Sequence, residues 1–400
     1  MKPSGLPGLF FGPKSLKSSG IIALALASAC ASTGPRHYTP SEVKADLSTR
    51  VPQDVVQKVV VPYEINDEIR ELAIKSVANM RTDSDKTRAI VNAIISRTGM
   101  SISYDWLSNK TAQQVFYEGK GNCLAYTNLF IGMAREVGID AVYVDVQTIE
   151  RISKEAEVIV NNGHITAGVR YGPDLRMIDF TRTPEREYFG AKQIDDFEAI
   201  ANYYNNQGFL YGYFAETAGD LGESFDPEAA ELEMYQMALD VSPNFHRARN
   251  NLGVALKRRG RIDEAIEQYQ LALIADPKFA DAYSNLGAVY YSMGRVDEAI
   301  EQFELAAKSS GSNAYYYHHL GVIEFQRRDY RSALKHFKKA VSRDGSLADA
   351  LYYIGEVYMK LGDPGKAVEA YERTLEVDPN YLSARAKLDL LTIATDSSSP

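Results

Sequence analysis

Hydrophobic positions along the chain change rhythm several times. Between residues 65 and 98 they return every three or four places (Ile69, Leu72, Ala73, then Ile90, Ala93, Ile94), the spacing of helices with one buried face. Asn122 then stands where a helix cap is expected. Tyr126, Phe130, Met133 and Val137, spaced four, three and four, predict a helix from about Cys123 that Gly138 closes. Val142, Val144 and Val146 alternate, which predicts a strand. A hairpin follows around the turn Gly172-Pro173-Asp174. Before it, Ile165, Ala167 and Val169 alternate with His164, Thr166 and Gly168. After it, Met177, Asp179 and Thr181 alternate with Ile178 and Phe180.

The C-terminal part repeats itself. Gly253, Gly287, Gly321 and Gly355 are 34 residues apart, as are Ala265, Ala299, Ala333 and Ala367. Tyr269, Phe303, Phe337 and Tyr371 recur with them. The period and these residue types, in phrases such as GRIDEAIEQYQLALIADP, resemble the tetratricopeptide repeat, a helix–turn–helix unit that must stack to bury its face. Four units are expected at 246–279, 280–313, 314–347 and 348–381. A degenerate first unit at 201–245, with one helix around Gly208 and an insertion, would precede them, and a capping helix and tail (382–400) would close the array. The resemblance implies protein or peptide partners in a groove lined by first helices, with Asn250, Asn251, Asn285, Tyr317 and His318 as candidates.

Charge narrows the partners. The chain has 400 residues, 44 basic and 53 acidic, for a net charge of −9. At roughly 100–200 residues per domain this is two or three domains, and an acidic balance argues against nucleic acid as the default partner. No apolar run approaches the ~20 residues of a membrane span. Residues 1–29 instead carry Lys2, Lys14, Lys17, no acid, and a short apolar run, Ile21 to Ala29, as a secretory signal does. The sequence Ala27-Ser28-Ala29-Cys30 resembles the lipobox of bacterial lipoproteins, which implies lipid on Cys30 and a mature chain whose net charge falls from −9 to −12 with the loss of three lysines. Ala31 after the cysteine implies the outer membrane, facing the periplasm. Residues 30–50, polar with prolines, read as a tether.

Only two cysteines are present, Cys30 and Cys123, too few for a disulfide framework or a multi-thiolate metal site. There is no HExxH, Walker or EF-hand pattern, so no metal or cofactor is expected. Cys123 at a helix start meets the positive end of the dipole and unpaired N–H groups, which favour a thiolate and can hold an oxyanion. His164 on one strand of the hairpin and Asp179 on the other complete a nucleophile, base and orienting carboxylate. Asp145 and Asp174 are the competing carboxylates. GNCLAYTNLFIGMAREVGIDAVYV resembles the nucleophile segment of the transglutaminase-like superfamily, papain-like thiol enzymes. That resemblance implies Cys123, His164 and Asp179 as the triad. Tyr104 and Trp106 are candidate cleft residues, and Gln114 or its neighbour Gln113 a candidate oxyanion donor. The expected architecture is an α+β papain/transglutaminase-like domain (51–200) before an all-α solenoid of tetratricopeptide repeats. The expected function is amide hydrolysis or acyl transfer at the cell envelope, the other reading being a non-catalytic scaffold.

Overall fold

A computed structural model describes residues 37–97, 103–105, 107–147, 164–178, 180, 190–217, 226–310 and 313–396. The expected signal and Cys30 lie outside them. The chain divides into two compact units, the first ending at Asn251 and the second beginning at Leu252.

The first unit opens with α1 (Pro40–Leu47), α2 (Gln53–Lys58), α3 (Asp67–Val77), α4 (Asp83–Arg97), β1 (Ser103–Tyr104), α5 (Ala112–Glu118) and β2 (Lys120–Gly121). Next come α6 (Cys123–Glu136), β3 (Ala141–Gln147), β4 (His164–Tyr171), β5 (Asp174–Ile178) and β6 (Gly190–Ile194). Strands β5, β4, β3 and β6 form, in that order, an antiparallel sheet. β4 and β5 are joined by Gly172-Pro173, with Gly172 at φ +62°, as a tight two-residue hairpin turn requires of its first position. Short β1 and β2 pair in parallel just ahead of α6.

Helix α6 is the centre of this unit. The sequence predicts one apolar stripe; in fact every residue from Leu124 to Ala134 is buried. Helices α3, α4 and α5 pack against it, and the sheet covers it through β3 and β4. Contact is closest at Gly132, where a Cβ would lie 2.5 Å from the Tyr63 carbonyl oxygen. The other face of the sheet packs Val142, Val144 and Val146 with Leu175.

Residues 37–50 are not a free tether. A capping box between Thr39 and Glu42 starts α1, and Val43 and Leu47 are fully buried on its inner face. The Tyr38 N–H donates to Asp196 at 2.8 Å, and Arg50 donates to the Val241 carbonyl at 2.9 Å. The polar composition misled because only two of eight helical positions are needed to anchor the element.

The first unit also extends past residue 200. It includes α7 (Asp196–Thr217), α8 (Pro227–Val241) and the start of α9 (His246–Arg258). Gly208 on α7 meets the Tyr235 ring of α8, where a Cβ would lie 2.7 Å from Tyr235 Cε1. In the second unit α10 (Ile262–Ala275), α11 (Ala280–Ser292), α12 (Val296–Ser309), α13 (Ala314–Gln326), α14 (Tyr330–Arg343), α15 (Ala348–Leu361) and α16 (Pro364–Val377) follow, closed by α17 (Leu382–Asp396). The same contact recurs there. A Cβ at Gly253 would lie 2.6 Å from Tyr269, at Gly287 3.0 Å from Phe303, and at Gly321 2.7 Å from Phe337; Gly355 meets Tyr371 likewise. A ring on the second helix of each pair fills the space that the missing side chain leaves.

Candidate active site

The start of α6 places Cys123. It is the first helical residue, half-buried and outside any disulfide. Asn122 caps the helix, its Oδ1 accepting from the Ala125 N–H at 2.9 Å. Its own N–H donates to the Ser108 carbonyl at 2.9 Å, and its Nδ2 donates to Asn109 Oδ1 at 3.4 Å. Asn109 is held in turn by α7: its Nδ2 donates to the Tyr203 carbonyl at 2.8 Å, and its carbonyl accepts from Gln207 Nε2 at 2.9 Å. Ser108 donates to Asp105 Oδ2 at 2.7 Å. Of the N–H groups at this end, those of Asn122 and Ala125 are taken. Those of Cys123 and Leu124 have no partner within the helix and carry the positive end of its dipole.

The base candidate comes from the sheet that packs on the same helix. His164 opens β4 opposite Val146. The face towards α6 carries Tyr143, whose hydroxyl donates to Asn128 Oδ1 at 2.8 Å. Asp179 and Trp106 lie outside the described residues, as do the side chains of His164 and Tyr104. Both neighbours of Asp179 are fixed. Ile178 pairs with Ala167 across the hairpin. Phe180 is buried and stacks on Tyr126, with centroids 6.0 Å apart at 26°, one turn of α6 from Cys123. Burial raises the Tyr126 hydroxyl pKa, and that hydroxyl donates to the Gly119 carbonyl at 2.8 Å.

Several candidates are employed elsewhere. Gln114 is exposed, and its Oε1 accepts from the Thr111 N–H at 2.9 Å, completing a capping box on α5. Gln113 donates to the Glu64 carbonyl at 3.3 Å. Asp174 is exposed at the hairpin turn. Asp145 is buried and pairs with Arg247 at 2.6 Å. Asn250 and Asn251 do not line an open groove. Both are buried, Asn250 donating to Asn251 and Asn251 donating to Asn205 Oδ1 at 2.9 Å. Asn285 is buried too, and Tyr317 is buried with the Lys339 ammonium 4.3 Å from its ring centroid. His318 is half-buried against Phe337 and Tyr353.

Sequence reasoning missed the clamp behind the nucleophile, Asp105, Ser108 and Asn109. It also missed Arg135, which reaches from α6 to Asp196 with two bonds of 2.9 and 2.8 Å beneath the Tyr63 and Tyr143 rings. Burial, reinforced by the Asp196 charge, pushes the Tyr63 hydroxyl pKa up. Among the described residues no cluster of His, Cys, Asp and Glu could hold a metal ion, and no helix is long and apolar enough to cross a membrane.

Residues 70–174 match the family model of the transglutaminase-like superfamily, a span that takes in Cys123 and His164 and stops short of Asp179. Residues 255–294, 278–346 and 348–381 match tetratricopeptide-repeat models. The chain joins a transglutaminase-like domain to tetratricopeptide repeats. No curated protein matches it significantly. Similar solved structures include MamA, at 22% identity and TM-score 0.35 over 39% of this chain and 92% of that one. YrrB, described as a tetratricopeptide-repeat protein with an unusual peptide-binding site, is 19% identical with TM-score 0.36 over 46% of this chain and 90% of that one. PilF of Pseudomonas aeruginosa is 17% identical with TM-score 0.40 over 50% and 87%.

Proposed function

We propose that the transglutaminase-like domain is a thiol enzyme acting on amide bonds, with Cys123 as nucleophile, His164 as base and Asp179 as the carboxylate that orients it. The observation that supports the reading is Cys123 at the clamped start of α6, outside any disulfide, with Phe180, the residue after Asp179, stacked on Tyr126 one turn away. His164 takes the Cys123 thiol proton, and the resulting thiolate attacks the amide carbonyl, forming a C–S bond as the carbonyl π pair moves onto oxygen. The N–H groups of Cys123 and Leu124 stabilise the oxyanion. The C–N bond then breaks, His164 gives the proton to the leaving amine, and a thioester remains on Cys123. Water releases it as an acid, or a second amine takes the acyl group. Water is the favoured acceptor because it is abundant and no amine pocket is evident in the sequence. No cofactor enters.

Tetratricopeptide repeats commonly bind protein or peptide partners, and here they would bring substrate or partner to the domain. Lipid on Cys30 would hold the protein at the cell envelope, at the outer membrane facing the periplasm. The test is to expose the protein to envelope peptides and analyse the Cys123 peptide by mass spectrometry. An acyl adduct present in wild type and missing in His164→Ala supports the reading. The same adducts in both proteins, or none in either, contradicts it.

A further inference from the structure

One helix of the array departs from its neighbours in charge. α14 carries Arg331, Lys335, Lys338, Lys339 and Arg343, all exposed, and no carboxylate. Helices α10 and α12, at the same place in their own repeats, open on Asp263-Glu264 and Asp297-Glu298, which suits the positive field of a helix N-terminus. α14 opens on Arg331 against that field. Arg331, Lys335, Lys339 and Arg343 follow one another at i, i+4, in a row with about 6 Å between neighbours, and like charges at this spacing repel.

None of the five is ion-paired with a carboxylate among the described residues. Lys338 and Lys339 lie over the rings of Tyr358 and Tyr317, 5.5 and 4.3 Å from the centroids. Asp329, next to the row, is committed to capping, accepting from the Ser332 N–H and hydroxyl at 3.1 and 2.8 Å. In a chain of net charge −9 this row is a local exception to the overall balance.

We infer that α14 is a docking surface for an acidic segment of a partner protein. Its surroundings select that partner by width. α12 carries exposed Asp297, Glu301 and Glu304; Asp297 pairs with Arg327 at the end of α13, and Glu304 faces His336 of α14. A membrane surface or a nucleic acid would meet these carboxylates together with the row and be repelled. A single acidic helix or strand laid along α14 meets only the row, and carboxylates at i, i+4 on a helix repeat at the same pitch of about 6 Å. The inference does not rest on the chemistry of Cys123.

The test uses the full chain and three fluorescent or labelled probes of matched charge: an octaglutamate peptide, a thymidine oligonucleotide and phosphatidylglycerol vesicles. The expected result is that octaglutamate binds tightest, weakens about tenfold between 50 and 300 mM salt as screening lengths shorten, and binds about tenfold more weakly to the triple variant Lys335→Glu, Lys338→Glu, Lys339→Glu. Oligonucleotide or vesicle binding as tight as the peptide's would overturn the choice of partner. Equal peptide binding to wild type and variant, or no binding to wild type, would overturn the surface itself. If the triple variant does not fold, Lys335→Gln with Lys339→Gln replaces it, and the ranking of probes on wild type decides.

Discussion

Asn122 uses three groups for three purposes. Its Oδ1 caps α6, its N–H ties the preceding turn to Ser108, and its Nδ2 engages Asn109. Asn122→Ala should therefore lower stability by about 1 kcal/mol for the lost cap and also slow alkylation of Cys123, because the helix start is no longer held. Urea unfolding and iodoacetamide labelling of one sample measure both; slower labelling without lost stability, or the reverse, would separate the two roles. The cap was legible in the sequence because it is local. Asn109 was not: its partners lie 13 and 94 residues away, and nothing local marks that asparagine as buried. Gln114 shows the opposite error, since Thr-x-x-Gln at 111–114 is itself a capping signature. His319 makes a second residue-scale prediction. It stacks on Phe303 at 4.7 Å, and burial, with the charges of His318 and Lys257, brings its pKa down to about 3; burial lowers that of His318 too. Both are neutral when folded and bind protons more readily when unfolded. Their contribution to stability is complete above about pH 6.5 and is lost as pH falls towards the folded values. The urea midpoint of the repeats should drop between pH 7 and 5 in wild type and drop less in His319→Phe.

Packing around α6 decides the elements. A helix buried from Leu124 to Ala134 must accept neighbours on every side, and Gly132 is where the Tyr63 backbone comes nearest. Gly132→Ala puts a methyl against a carbonyl oxygen and the Ile65 side chain, an overpacking expected to cost about 1–3 kcal/mol; an unchanged melting temperature would show that the Tyr63 segment yields freely. The helix itself was legible from its cap, spacing and closing glycine. Its complete burial was not, because the helix also carries polar Thr127 and Asn128, which are nonetheless internal. The repeats were legible from their glycine and aromatic columns at a fixed period. The contact of Gly208 with Tyr235 was less so, because the insertion between α7 and α8 takes Gly208 out of that period, although Tyr235 stands 34 residues before Tyr269.

At the scale of the molecule, the boundary expected at residue 246 falls inside the first unit. Arg247 completes the buried pair with Asp145, and Asn251 satisfies Asn205. A long-range pair of this kind leaves no local trace, whereas the regular repeat does, and α9 opens at His246, where the first repeat is expected. A chain ending at Phe245 leaves Asp145 buried without its cation, which costs about 3–5 kcal/mol. A chain ending at Arg258 keeps both contacts. Urea unfolding of the two truncations should show the longer one clearly more stable, and equal midpoints would count against the pair.

The most direct test of the central claim is the rate at which iodoacetamide alkylates Cys123 at pH 7, read by mass spectrometry on the Cys123 peptide so that Cys30 does not contribute. The account predicts that wild type reacts at least about tenfold faster than free cysteine, because a histidine base takes the thiol proton of a nucleophile held at a helix start, and that His164→Ala falls back to the free-cysteine rate. A wild-type rate equal to that of free cysteine, unchanged by His164→Ala, would contradict it.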